Sequence, residues 1–234
     1  MGLNWKDFVI PAVDLKEGKV VRLVRGLMES AKSYQVSPED MASLFQSKGF
    51  GKIHVVDLDG AVTGKPVNLE AIKNIRMVFG GRIQVGGGIR DIERLKMLDD
   101  IGVDLFVVGT VAVYDRRTFE KMLELFPNRV ILSVDSKGGR VTVGGWKEET
   151  SLTPHQMALQ YDHLPIWGYL YTNVDRDGTL EGVDPQPYLS FKKWVKKPVL
   201  ASGGVASIED VIKLMGVVEG VVVGKAIYEG RIPL

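Results

Sequence analysis

The sequence contains no cysteine, which excludes disulfides, thiolate metal ligands and cysteine nucleophiles together. Neither sign of charge prevails: 30 Lys and Arg face 29 Asp and Glu, for a formal net charge of +1. That balance gives no electrostatic ground for nucleic acid or an anionic membrane as partner. The basic cluster Lys192, Lys193, Lys196 and Lys197 therefore reads as a solvated helix face. No apolar run approaches the roughly 20 residues of a membrane span. Residues 1–11 lack the basic stretch and long apolar segment of a signal peptide. The histidines are His54, His155 and His163, and none is paired at metal-ligand spacing. His54 and His163 are expected to satisfy local hydrogen bonds rather than to catalyse. These absences point to a soluble cytoplasmic protein without a metal site.

What is present is present twice. Asp14, Lys16, Gly18, Lys19 and Val20 are echoed about half a chain later by Asp135, Lys137, Gly139, Arg140 and Val141. Asp57, Asp59, Gly60 and Gly64 return as Asp175, Asp177, Gly178 and Gly182. Gly87, Gly88, Ile92, Glu93 and Leu98 return as Gly203, Gly204, Ile208, Glu209 and Leu214, and Val107–Gly109 as Val222–Gly224. The unit is far longer than the roughly 20–50 residues of a solenoid repeat. It describes one domain over 1–234 made of two similar halves, about 1–127 and 128–234.

Short β-branched runs alternate with amphipathic stretches. Phe8–Val13, Ile53–Val56, Ile83–Val85 and Leu105–Val108 read as strands, followed by Val130–Val134, Ile166–Tyr171, Val199–Ala201 and Val218–Val223. Val20–Val24 reads as a further extended segment. Helices are expected from Ser37 to Lys48, over Leu69–Phe79, from Asp91 to Asp100, near Pro154–Asp162 and Tyr188–Val195, and over Ser207–Met215. Strands apolar on both faces belong to parallel sheets. Two equal four-unit halves close naturally into a ring, which an open sheet with a strand-order reversal does not allow. The expected fold is a (β/α)8 TIM barrel, its last helix short or missing.

The active site of such a barrel lies at the C-terminal ends of its strands. There the sequence places Asp14 opposite Asp135, Asp57 and Asp59 after the second strand, and Thr172, Asp175 and Asp177 after the sixth. Gly87–Gly88 and Gly203–Gly204 follow the third and seventh strands, Gly109–Thr110 and Gly224–Lys225 the fourth and eighth. Glycine loops between strand and helix let backbone N–H groups converge on an anion. Two opposed glycine cradles suit a ligand with a phosphate at each end and its reactive centre near Asp14, Asp135 and Asp177. Other readings compete: glycines for tight packing, Asp57 and Asp175 for loop hydrogen bonds. Trp146, after Gly144 and Gly145, is either a lid that stacks on a planar group or a tryptophan packing its own loop.

The set of motifs resembles the ProFAR isomerase family of histidine biosynthesis. It includes residues 10–22 from Ile10-Pro-Ala-Val-Asp14 onward, His54–Ala61, Val85–Arg90, Val134–Arg140, Gly145-Trp146, Asp175–Thr179 and Ala201–Gly204. The resemblance covers essentially the whole chain. It implies a cofactor-free Amadori rearrangement of a substrate with two phosphoribosyl ends, in a monomer. Asp14 is then the general base and Asp177 the general acid, with Asp135 the alternative acid. Asp135 and Thr172 hold the reacting ribose, while Arg22 and Trp146 contact the carboxamide-imidazole portion. Gly87, Gly88, Gly109 and Thr110 bind one phosphate; Gly178, Gly203, Gly204, Gly224 and Lys225 bind the other. Two features depart from the family: Asn173 stands where many members carry aspartate, and the chain ends soon after Tyr228. The rival readings are a dual isomerase that also takes phosphoribosyl anthranilate, the cyclase subunit of imidazole glycerol phosphate synthase, and a phosphosugar-binding barrel without turnover.

Overall fold

A computed structural model describes residues 4–24, 27–65 and 67–234, the stretches 22–24 and 27–32 by their backbone alone. The strands are β1 (Val9–Lys16), β2 (Lys19–Val24), β3 (Leu27–Ser33), β4 (Lys52–Asp57), β5 (Arg82–Gly86) and β6 (Leu105–Val108). They continue as β7 (Val130–Lys137), β8 (Arg140–Val143), β9 (Glu148–Glu149), β10 (Gly168–Asn173), β11 (Val199–Ser202) and β12 (Gly220–Val223). Parallel pairing runs β1-β4-β5-β6-β7-β10-β11-β12. The ring closes where β12 returns to β1, with Val9 opposite Val221 and Pro11 opposite Val223. The expected TIM barrel is therefore the observed fold.

Two antiparallel ribbons stand outside the ring, β2–β3 on β1 and β8–β9 on β7. The sequence suggested only one extended segment in the first and a loop in the second. Short polar strands such as Glu148–Glu149 carry no apolar alternation from which to read them.

Alternation along each barrel strand divides the core in two. Ile10, Ala12, Leu105, Val107, Ile131, Leu170, Leu200 and Val222 point into the barrel, with Trp167 packed beneath them. Their neighbours, among them Val9, Val13, Ile53, Val55, Leu132 and Val221, face the helices. This is the period of two expected of strands buried on both sides. Inside the barrel, His54 and Gln84 replace apolar side chains and satisfy each other, Nε2 of Gln84 lying 2.9 Å from Nδ1 of His54. Burial pushes the His54 pKa down to about 4. The imidazole is a neutral core group, as its sequence context suggests.

The helices stop and start on the expected caps. Ser37 accepts from the Asp40 N–H, Asp91 from Arg94, Thr153 from Gln156 and Ser207 from Asp210. Each is worth about 1 kcal/mol. Helix Arg116–Leu125 follows β6, where the sequence offered no bounds. The eighth unit ends in Lys225–Tyr228, a helix of 4 residues, so the last helix is indeed short.

Candidate active site

The carboxylates meet because β1, β7 and β10 send alternate residues inward. Asp14 follows Ala12 on β1, and Asp135 follows Ile131 and Ser133 on β7. Thr172 follows Leu170 on β10, whose outgoing turn carries Asp177. All four line one cavity of about 1010 Å³ at the C-terminal mouth. Gly87, Gly88, Gly109, Thr110, Trp146, Gly178, Gly203, Gly204, Gly224 and Lys225 line it too. Of the candidate residues, only Arg22 is not placed there: its side chain lies outside the described residues.

Asp135 is the carboxylate held in place. Trp146 Nε1 donates to its Oδ2 at 2.8 Å and Ser133 Oγ to its Oδ1 at 2.9 Å. Burial raises its pKa, while these two donors and Thr172 oppose the rise. No side-chain hydrogen bond among the described residues reaches Asp14 or Asp177, which open on the cavity. Asp14 is pushed up to about 7, first by burial and then by the charge of Asp177. Asp177 is pushed up to about 6, by burial and by Asp135. Two carboxyls that titrate near neutrality beside one that is hydrogen-bonded can give and take protons within a single turnover.

The glycine loops are packed closely against neighbouring backbone. A Cβ on Gly87 would lie 2.2 Å from the Asp57 carbonyl oxygen, and one on Gly203 2.4 Å from that of Asn173, at φ +103° and +99°. Packing alone thus demands glycine at both. The helix starts one strand further on are less fully closed than those beside these glycines. Helices Ile92–Ile101 and Ile208–Leu214 are closed by their own Asp91 and Ser207 side chains. Helices Thr110–Tyr114 and Lys225–Tyr228 begin at Gly109 and Gly224 with no side-chain cap. Their first N–H groups are left to face the cavity from two separate strands.

Trp146 is at the tip of the β8–β9 ribbon, its φ of +67° following +63° at Gly144 and +68° at Gly145. A left-handed tryptophan is costly and recurs where strain serves a site. The ribbon is fastened from outside as well. The Gly144 N–H donates to Thr110 Oγ1 at 3.1 Å, and the Tyr114 hydroxyl donates to Glu148. Trp146 thus lines the cavity and bonds Asp135, beyond its own ribbon.

Asp57 and Asp175 serve loops. Asp57 accepts from the N–H groups of Gly60 and Val67 and from the Asn68 amide at 2.7 Å. Asp175 accepts from the Gly138 N–H at 2.8 Å. Its structural counterpart is Asp59, which accepts from the Glu17 N–H at 2.6 Å. In register, Asp14 lies beside Val56 and Asp135 beside Thr172. Asp57 therefore matches Asn173, and Asp59 matches Asp175. The pairing of Asp57 with Asp175 and Asp59 with Asp177, read from sequence, is displaced by two residues.

Arg90, Ser133, Ser202 and Tyr228 also line the cavity and were not singled out from sequence. Strand parity could have found Ser133 and Ser202, which share the inward face of their strands with Ile131 and Leu200. Nothing in the pattern around Tyr228 signals that its hydroxyl reaches the neighbouring strand β1. Among the described residues, no cluster of three or more His, Asp or Glu is arranged to hold a metal ion. Among the described residues, no helix is long and apolar enough to cross a membrane.

Comparison with known proteins agrees with this geometry. The family model described as histidine biosynthesis protein matches residues 8–233. A relative from Aquifex aeolicus is 58% identical over 232 residues, covering 99% of this chain and 98% of its own. Relatives from Sulfurihydrogenibium sp. and Persephonella marina are 46% and 43% identical, covering 99% and 100% of this chain and 99% and 98% of theirs. All three are named 1-(5-phosphoribosyl)-5-((5-phosphoribosylamino)methylideneamino)imidazole-4-carboxamide isomerase.

Proposed function

The chain belongs to the histidine biosynthesis protein family, and we infer that its cavity carries the ProFAR isomerase reaction of the relatives described above. That reaction is an Amadori rearrangement of an aminoaldose to an aminoketose. The observation that carries the assignment of roles is the contrast in hydrogen bonding among three carboxyls that burial raises alike: Asp135 is engaged at both oxygens, while no side-chain hydrogen bond among the described residues reaches Asp14 or Asp177.

Asp177, protonated, gives its proton to the ring oxygen as the furanose opens to an iminium. Asp14 takes the proton from the second carbon, and the enol formed relaxes to the ketone. Proton count and atoms balance within the substrate, so acid–base catalysis suffices. Asp135, whose donors oppose the rise that burial imposes on its pKa, positions the ribose with Thr172 and holds the Trp146 ring in line with the planar aglycone. This favours Asp177 over Asp135 as acid. Gly87, Gly88, Gly109 and Thr110 take one phosphate, and Gly178, Gly203, Gly204, Gly224 and Lys225 the other. Arg22 belongs to this set by resemblance alone.

The reading includes a single small-molecule partner, with neither nucleic acid nor membrane, no cofactor or metal, and a monomer at work in the cytoplasm. It also includes one domain built from half-barrels of about 1–127 and 128–234, which the paired ribbons on β1 and β7 support. The cyclase and dual-isomerase readings are not favoured, since the relatives described above carry the isomerase name.

Purified protein is expected to isomerise ProFAR without added metal or nucleotide. Asp14→Asn should abolish turnover while leaving KM or ligand affinity nearly unchanged. Near-normal turnover in that variant refutes the base assignment. Phosphoribosyl anthranilate assayed in parallel is expected to be inert, and turnover of it would move the reading to a dual isomerase.

A further inference from the structure

The terminal helix Lys225–Tyr228 is a single turn, too short to be stable by itself. Its two end residues bind different parts of the mouth. Lys225 Nζ donates to the carbonyl of Gly178 at 2.8 Å, the residue that follows Asp177. The Tyr228 hydroxyl donates to the carbonyl of Ala12 at 2.8 Å, two residues before Asp14 on β1. The Tyr228 ring is fixed in turn, stacked on Tyr34 with centroids 4.7 Å apart and set edge-on to Phe45 at 6.3 Å.

This double attachment matters because it joins the two carboxyl-bearing segments directly. Asp14 is on β1 and Asp177 in the turn leaving β10, and β11 and β12 lie between those strands in the ring. Their spacing would otherwise depend on two intervening ladders and a turn in which the Asp177 N–H donates to the Val174 carbonyl. Lys225 and Tyr228 span that gap from one turn.

We propose that Lys225 and Tyr228 form a clamp that sets the spacing of Asp14 and Asp177, and so act as positioning residues for the two proton transfers. The proposal rests on the reading of Asp14 and Asp177 as base and acid. It gives the short last helix a function: the turn needs only enough length to present one side chain to each segment. Reacting groups misplaced by about 1 Å lose on the order of a hundredfold in rate, so loosening one attachment should be visible in kcat.

The test uses Tyr228→Phe, which keeps the stacked ring, Lys225→Met, which keeps the aliphatic stem, and the double variant, each assayed with ProFAR. The expected result for Tyr228→Phe is a loss of about tenfold in kcat with KM within about twofold. Either single loss already frees the spacing, so the double variant should fall little below the weaker single one. Losses that multiply in the double variant indicate separate structural damage and overturn the clamp. Lys225→Met is expected to raise KM as well, through the lost phosphate contact; a raised KM with kcat kept in Tyr228→Phe makes the tyrosine a substrate contact only, which also overturns the clamp. Unchanged kcat in Tyr228→Phe and Lys225→Met, beside an inactive Asp14→Asn, refutes the clamp and leaves the acid–base reading standing. Near-normal turnover in Asp14→Asn removes both.

Discussion

Asp14→Asn should make the protein more stable as it destroys catalysis, and the gain should depend on pH in a calculable way. The Asp14 carboxyl is pushed from an ordinary 3.8 to about 7 in the folded protein. Between those values the native state binds a proton that the unfolded state does not, so stability falls as pH rises through that window. At about 1.4 kcal/mol per pKa unit, linkage puts the native-state cost near 4 kcal/mol at pH 8, under about 2 at pH 5 and under about 1 at pH 4. The replacement removes this cost but installs an amide whose hydrogen bonds must be found in the same place, a penalty of about 1–3 kcal/mol. The net gain at pH 8 is then about 1–3 kcal/mol, or several degrees in Tm for a chain of this size.

The pH difference is the sharper test, because the amide term cancels from it. Urea unfolding of both proteins at pH 8 and pH 5 should give a variant-minus-parent stability that is larger at pH 8 by about 2–3 kcal/mol. Equal differences at the two pH values would mean that Asp14 has an ordinary pKa, and the physical case for its being a base poised near neutrality would be lost. A stable but inactive variant is the signature of a group kept for function against the interest of the fold.

With Asp14 near 7 and Asp177 near 6, the pair holds a single proton between about pH 6 and 7, whichever carboxyl carries it. Below that window no base is available and above it no acid, so kcat/KM should follow a bell with limbs near those values; a flat profile from pH 5 to 8 would exclude the pair. Trp146→Phe keeps an apolar ring but withdraws the donor from Asp135; loss of a hydrogen bond to a charged group, about 1.5–3 kcal/mol, should lower kcat/KM by tenfold or more, and a smaller effect would reduce Trp146 to ribbon packing. Gly203→Ala meets the Asn173 carbonyl at 2.4 Å in a left-handed backbone, whereas a methyl on Gly224 meets only Ala12 Cβ at 3.6 Å. Calorimetry should therefore find the first variant destabilised by about 3 kcal/mol or more and the second close to the parent.

Where sequence and structure part company, the cause is local and physical. Barrel strands announce themselves because both faces are buried and the runs are continuously apolar; four-residue Leu105–Val108 was readable to its ends. Caps announce themselves because Ser37, Asp91 and Ser207 precede amphipathic stretches. The candidate site was legible through its aspartates and glycines, but the correspondence between halves was not. Asp57-Leu-Asp59-Gly60 and Asp175-Arg-Asp177-Gly178 match by identity, yet they occupy different places. In the first half Asp57 ends the strand and caps helix Leu58–Thr63; in the second Asn173 ends it and a non-helical turn follows. The contacts of Gly87 with Asp57 and of Gly203 with Asn173 reveal the register, and no string comparison contains them.

That two-residue shift changes the chemical argument. Carried two positions beyond Asp59 and Asp175, it matches Asp177 with Ala61, both of which line the cavity. The acid then has no acidic counterpart in the first half, just as Trp146 has none. The departure at Asn173 also acquires a reason. Its counterpart Asp57 is engaged by Gly60, Val67 and Asn68 in a closed network, which the second half does not build. A charged residue at 173 would lack those donors and would add a further negative charge at the start of the turn that carries Asp177. Asn173→Asp should accordingly raise the Asp177 pKa and move the lower limb of the kcat/KM bell upward, narrowing it. An unmoved limb would show that residue 173 is electrostatically remote from the acid and that the amide was kept for packing alone.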